Sequence, residues 1–264
     1  EPFPRQKTIL ENRFISRYKK NVTSFPDFIV HQGGLANFDD HPFRELYFSI
    51  TAGYNKQPRR VCLYNIRKDS LELSPLAGAK VTNLRQVDLN NDQTPEITGY
   101  SKASGNCASD FPYTDQKGWL MVFDRNLNFY FQPVPFKEYP MELLVEPFHY
   151  RDSSYLFVFQ KYEGIKDVVP ALYVYDRKGH SRYKRKLTDL YISKESYIYT
   201  GNNSLYLYSD SGKVRVFDYA LKDKRQFKNP KIGHGKPVFE EDLNGDNKKE
   251  YIFRGRKQHS FVIT

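Results

Sequence analysis

The chain has 264 residues, a formal charge of +10 and an estimated pI of 9.3, and 39% of it is hydrophobic. A chain this long buries roughly 70–75% of its unfolded surface, so packing can hold it without a disulfide scaffold. No run approaches the roughly 18 apolar residues of a membrane span, and no recognition helix, RNA-binding signature or zinc finger accompanies the charge, which argues against a nucleic-acid partner.

The first residues, "EPFPRQKTILENRF", lack the apolar core of a signal peptide, and the absence of an initial Met reads as an excised or processed segment. "KTILENRF" has room for a helical turn or two, and "NRFISRYKK" and "DFIVHQ" are strand-like. A polar stretch then leads into a strand in "ANFDDHPFRELYFSI" (residues 36–50), followed by the hairpin pattern "RVCLYNIRKDSL". The same arrangement returns in "VDLNNDQTPEITGYS" (87–101), then a long insertion, "SKASGNCASDFPYTDQKG" (101–118), and the hairpin "GWLMVFDRNLNF". "FKEYPMELL" could also begin a helical turn, but Pro140 interrupts it. Aromatic strands follow in "VEPFHYRDSSYLFVF", "ALYVYDRKGHSR", "TDLYISKESYIYTGN" and "SLYLYSDSGKVRVFD", with the basic run "RYKRK" (182–186) reading as an exposed hairpin arm. "EDLNGDNKKEYIFRG" (241–255) and "HSFVIT" end the chain.

Twenty-one Tyr and twenty Phe favour half-buried pleated surfaces, and period-two alternation closed by Asp-x-x-Gly or Asp-Ser-Gly turns reads as hairpins. Asn37 and Asp88 are 51 residues apart, and Asp242 lies 154 beyond Asp88, close to three times 51. Units beginning near 37, 88, 139, 190 and 242, each with about four short antiparallel strands, predict an all-β chain. Residues 1–264 form one β-propeller of about five blades, and 1–36 completes the last blade by pairing N- and C-terminal strands. A larger propeller cut short and a pair of β-sandwiches are the rival architectures. Cys62 and Cys107 permit one disulfide; separate buried thiols are the expectation.

Calcium takes oxygen ligands from alternate positions of a tight loop. Asp88, Asn90 and Asp92, the Thr94 carbonyl and Glu96 supply such a set. Asp242, Asn244, Asp246, the Lys248 carbonyl and Glu250 repeat it. Asn91 and Gly245 sit at the fourth position, where a sharp turn favours residues that tolerate positive φ. The earlier copy, Asn37, Asp39, His41 and Glu45, puts an imidazole at the fifth position, a poor ligand for a hard cation, and is read as empty. Turn capping is the alternative use of the same residues.

On "DLNNDQTPEI" and "DLNGDNKKEYIF", with "GWLMVFD" in support, the sequence resembles the calcium-carrying FG-GAP or VCBS-type β-propeller repeats of integrin alpha chains and many bacterial surface proteins. The resemblance implies a structural calcium in each intact blade and an extracytoplasmic ligand-binding or sensor role.

The six histidines are scattered, and no H-E-x-x-H, G-x-S-x-G, Walker A or dinucleotide fingerprint occurs. The expectation is therefore a non-catalytic periplasmic or cell-surface domain, such as the ectodomain of a sensor histidine kinase, and not an enzyme. Its parent supplies any membrane span. The alternatives are a glycoside hydrolase or polysaccharide lyase acting on an acidic glycan, or an adhesion or assembly module. Long connections gathered on one propeller face make Tyr54, Arg59, Arg60, Tyr113, Trp119 and Tyr162 candidates for contact with a small molecule, glycan or protein partner.

Overall fold

The computed structural model describes residues 29–39, 41, 43–51, 59–103, 112–136, 141–162, 168–190, 192–193, 196–201, 203–209, 212–228, 232–241, 250–255 and 261–263. Among these residues the strands are the only regular elements longer than a turn, and they form five antiparallel sheets. The first sheet holds β1 (Ile29–Ala36), β2 (Glu45–Thr51), β3 (Arg60–Asn65) and β4 (Ser70–Leu73). The second holds β5 (Val81–Val87), β6 (Glu96–Ser101), β7 (Gly118–Phe123) and β8 (Val134–Phe136). The third holds β9 (Met141–Tyr150), β10 (Ser153–Tyr162), β11 (Ala171–Tyr175) and β12 (Ser181–Lys186), and the fourth β13 (Tyr197–Gly201), β14 (Ser204–Tyr208), β15 (Lys213–Phe217) and β16 (Asp223–Lys228). The fifth is β17 (Ile232–Glu241), β18 (Glu250–Gly255) and β19 (Phe261–Ile263). Within each sheet every strand pairs with its predecessor in the chain.

The apolar strands run without a polar break because both faces of a sheet are covered. In β7, Met121 and Phe123 pack towards Tyr47, Val61 and Leu63 of the first sheet, while Leu120 and Val122 pack towards Leu143, Val145 and Leu156 of the third. In β10, Leu156 and Val158 face the second sheet and Phe157 and Phe159 face Leu205, Val214 and Phe217 of the fourth. Side chains alternate across a strand, so two apolar sets in one segment serve two neighbours. The first strands of successive sheets also touch in order, β1 on β5, β5 on β9, β9 on β13 and β13 on β17. Three of them share a polar link: Arg85 on β5 donates to the Tyr197 hydroxyl on β13 (2.7 Å), which donates to Glu146 on β9 (3.1 Å).

A recurrent turn joins the third and fourth strands of the second, third and fourth sheets. Asp124, Asp176 and Asp218 each accept two backbone N–H groups through Oδ1, and the fourth turn residue takes a positive φ at Leu127, Gly179 and Leu221. A short carboxylate that satisfies backbone donors locally fixes such a turn.

The unit boundaries differ from the even spacing. Ala36 lies directly opposite Glu45, Val87 opposite Glu96 and Glu241 opposite Glu250, so each acidic stretch is the connection inside a sheet's first hairpin and not the start of a unit. β1 therefore belongs with β2 and does not complete the last blade as expected. Gly33 permits the approach, since a Cβ there would collide with the Tyr47 carbonyl and lie 2.8 Å from the Phe48 Cβ. In the third and fourth sheets the same connection shrinks to residues 151–152 and 202–203, later than the expected 139 and 190. Met141 begins a strand, not a helical turn, and residues 1–28 lie outside the described residues.

Candidate cation loop and groove

The loop between β5 and β6 is folded by its own side chains. Asp88 accepts the N–H groups of Asp92 through Oδ1 (3.2 Å) and Gln93 through Oδ2 (2.9 Å). Asn90 Oδ1 also accepts the Asp92 N–H (2.9 Å), and Asp92 Oδ1 accepts that of Thr94 (2.8 Å). The Asn90 amide donates to Asp92 Oδ2 (2.8 Å). Asn91 and Gln93 have φ of 62° and 70°, so the fourth position is left-handed as the loop pattern requires.

Glu96 begins β6 beneath this loop, only 4% exposed, and its Oε2 accepts the N–H of buried Leu89 at 2.8 Å. Burial pushes its carboxyl up to about 7, against the Leu89 N–H, and the charges of Asp92 and Asp88 push the same way. The donors are carboxylate, amide and carbonyl oxygens, which suits a hard cation. Among the described residues, however, no three His, Cys, Asp or Glu side chains are grouped as a metal centre. Asp242, Asn244, Asp246 and Lys248 lie outside the described residues; Glu250 opens β18 at the register of Glu96.

The first sheet repeats the buried half of this arrangement. Glu45 Oε2 accepts the Phe38 N–H at 3.0 Å, as Glu96 does from Leu89. There the anions face protein donors: Lys68 Nζ lies 3.5 Å from Asp39, and the Asn65 amide donates to Glu45 at 3.0 Å. At the turn position of Lys68 the second sheet has Leu127, which is buried. Lys68 escaped the sequence reading because it comes from a later hairpin; the aligned turns "NIRK" and "DRNL" carry the difference.

The six ligand candidates do not form one surface among the described residues. Arg59, 5% exposed, donates to the Gly78 carbonyl at 2.6 Å, and Gly78 donates to the Tyr113 carbonyl at 2.7 Å. Tyr113 meets Trp119 edge-on at 5.3 Å, and the Trp119 indole donates to the Thr114 carbonyl at 2.8 Å. The described end of the insertion thus lies against the segment before β5, and its Tyr113 ring packs on Trp119 of β7. Arg60 donates to the Ser74 carbonyl. Tyr162, in the third sheet, accepts from Gln160 at 2.6 Å, and Tyr54 lies outside the described residues.

A groove that the sequence did not announce opens beside the loop. It has a volume of about 520 Å³ and lies between Asn91, the β9–β10 turn and the β11–β12 turn. Ser154, 3% exposed, holds its wall: the hydroxyl is 2.8 Å from both the Asp88 carbonyl and His149 Nδ1, and the Asn91 amide donates to the Asp152 carbonyl at 3.1 Å. Arg177, Lys178 and Arg182 line the opposite side.

No protein-family model matches the chain, and no curated protein matches it. Solved structures do. The chain is similar to rhamnogalacturonan lyase YesW, with a TM-score of 0.56 and 11% identity over 90% of this chain and 49% of that one. It is similar to the exotype rhamnogalacturonan lyase YesX, with a TM-score of 0.55 and 12% identity over 90% of this chain and 47% of that one. The chain spans about half the length of these structures, and at such identity the likeness shows the fold alone. It nevertheless overturns the expectation that the segment is not an enzyme, which rested on missing motifs: the fold is one that carries lyases. Among the described residues no helix is long and apolar enough to cross a membrane.

Proposed function

We propose that the chain is a five-bladed β-propeller within an extracytoplasmic carbohydrate-active protein that acts on an acidic glycan. Support for the ring comes from five antiparallel meanders whose first strands pack on one another in order. The polysaccharide-lyase names of two similar structures support the substrate class.

The observation that carries the reading is a pair of basic outer strands. β12, "SRYKRK", has four cations and no anion; β16, "DKRQFK", has three cations and one carboxylate, Asp223, which Arg185 and Arg215 engage. Charge on an outer strand also protects a sheet edge from pairing with another chain. Edge protection does not require one sign, however: β4 carries Glu72 and β8 carries Pro135. A field of one sign on two successive sheets attracts a polyanion.

Calcium belongs to the same proposal. Asp88, Asn90, Asp92, the Thr94 carbonyl and Glu96 would hold one ion, and Asp242, Asn244, Asp246, the Lys248 carbonyl and Glu250 another. When bound, the ion neutralises carboxylates that otherwise repel one another. Sites of extracellular modules bind at roughly 10⁻⁴–10⁻³ M, which suits a calcium-rich exterior.

The test is electrophoresis through gels containing polygalacturonate, rhamnogalacturonan or dextran, with unsaturated uronate ends followed in digests of the two acidic polymers by the chain in its full-length context. The reading expects retardation by both acidic polymers, none by dextran, and accumulation of unsaturated ends. Equal mobility in all three gels would overturn it.

A further inference from the structure

We infer that the groove beside the acidic loop, continued along the outer strand β12, is the seat of a carboxylate-bearing polysaccharide, gripped by Arg177, Lys178, Arg182 and Lys184. The inference rests on the acidic-glycan reading and gives it a place in the fold.

The groove has the dimensions of a site. Its volume of about 520 Å³ falls within the roughly 300–1,000 Å³ range of ligand pockets, and it is open enough for a chain to leave it. Its walls are tied together through the buried Ser154 hydroxyl and the Asn91 amide, which connect the second sheet's loop to the third sheet's first hairpin. A wall fixed before the ligand arrives costs less ordering on binding.

Its charges are unequally engaged. Asp176 accepts the N–H groups of Lys178 and His180, and lies 3.6 Å from His180 Nδ1 and 3.8 Å from Arg182 Nη1. Asp152 contributes a second carboxylate on the opposite rim. The side chains of Arg177 and Lys178 are exposed and make no ion pair with the described acids.

From the mouth of the groove the cations continue. Lys184 and Lys186 occupy alternate positions of β12 and so share a face, roughly 7 Å apart, while Arg182, at the register shift where β12 leaves Val174 and Tyr175, lines the groove itself. The Lys184 ammonium rests 5.0 Å from the centre of the Tyr173 ring, which pairs a cation with an apolar platform. A single small anion would use one end of this track, whereas a linear polymer with a carboxylate on successive residues would use its length. Guanidinium groups at the groove hold carboxylates in two-point contacts, and ammonium groups along the strand act as point charges.

The experiment is titration calorimetry with a de-esterified oligogalacturonate against the wild-type chain and two variants. One removes track charge, Arg177→Ala/Arg182→Ala/Lys184→Ala. The other removes the same charge from a distant surface, Arg44→Ala/Arg67→Ala/Lys117→Ala. All six positions are exposed, and circular dichroism confirms folding of both variants. The inference expects the track variant to bind about tenfold or more weakly and the distant variant to stay within about twofold of wild type. Equal weakening in both, or none in the track variant while wild type binds, would overturn the inference and leave the glycan reading standing. No binding by wild type would overturn both. A single-stranded polynucleotide that displaces the oligosaccharide at equal charge concentration would also count against it.

Discussion

Replacing Glu96 with glutamine separates the charge of the acidic loop from its shape. The carboxyl is 4% exposed, and burial first, with Asp92 and Asp88 adding to it, raises it from 4.5 to about 7. Between those values the folded chain holds a proton that the unfolded chain has released. Stability from this group is therefore complete below roughly pH 4.5 and falls as pH rises towards and past about 7. At about 1.4 kcal/mol for each tenfold change in proton affinity, the loss reaches about 3 kcal/mol by roughly pH 8. For a chain of this size that is roughly 6–12 °C in Tm. Glutamine keeps an oxygen for the Leu89 N–H and carries no charge. In chelator, Glu96→Gln should melt with wild type at roughly pH 4 and well above it at roughly pH 8. Added calcium should raise wild type and leave the variant nearly unchanged. Thermal melts across this range read the outcome directly; a difference that does not vary with pH would refute the assignment of the buried charge.

Phe157 is fully buried between the third and fourth sheets, and Phe157→Ala should cost about 3–5 kcal/mol, read as a lower midpoint in urea. A smaller loss than about 1 kcal/mol would mean that the two sheets do not pack through this ring. A Cβ at Gly78 would collide with the Tyr113 carbonyl and lie 2.7 Å from the Asp115 nitrogen, both backbone atoms. Gly78→Ala should therefore lower stability by about 1–3 kcal/mol and brighten or shift Trp119 fluorescence, and an unchanged spectrum with unchanged stability would contradict the packing of the insertion's end against Gly78. Cys62 is a free thiol with no exposure, and burial pushes its pKa up, so mass spectrometry should find its peptide unlabelled by a thiol reagent until the chain unfolds. Labelling at the unfolded rate in native buffer would sink that placement.

The strands were legible because a two-faced apolar run such as "GWLMVF" has no other use at that length, and the hairpin turns because Asp124, Asp176 and Asp218 keep one side-chain pattern. Glu45 and Glu96 stood out as the ninth residues of acidic loops of equal length, but their burial and their bonds to the Phe38 and Leu89 N–H groups were not legible. Nor was the phase of the units. A repeat shows its period without showing which side of a recurring loop a sheet begins on, and only the pairing of Ala36 with Glu45 settles that β1 precedes the loop in its own sheet. Shrinkage of the loop to residues 151–152 displaced the third unit, where two ten-residue strands, β9 and β10, take up the length. Asn91, Ser154 and Arg177 meet only in space, so no local pattern marked the groove. The basic run at 182–186 was visible as an exposed arm, but its place on an outer edge beside that groove was not. Arg59 and Trp119 show why residue type alone does not place a ligand surface: the same groups that suit a ligand bond the Gly78 and Thr114 carbonyls.

Titration of a uronate oligosaccharide beside its fully methyl-esterified twin tests acidic-glycan recognition most directly, because the two share one sugar backbone and the ester removes the carboxylate charges. The account predicts that the acid binds, that binding weakens as ionic strength rises towards roughly 0.15 M, and that the ester gives no heat. Equal affinity for both, or no binding of the acid by the folded chain, would contradict it.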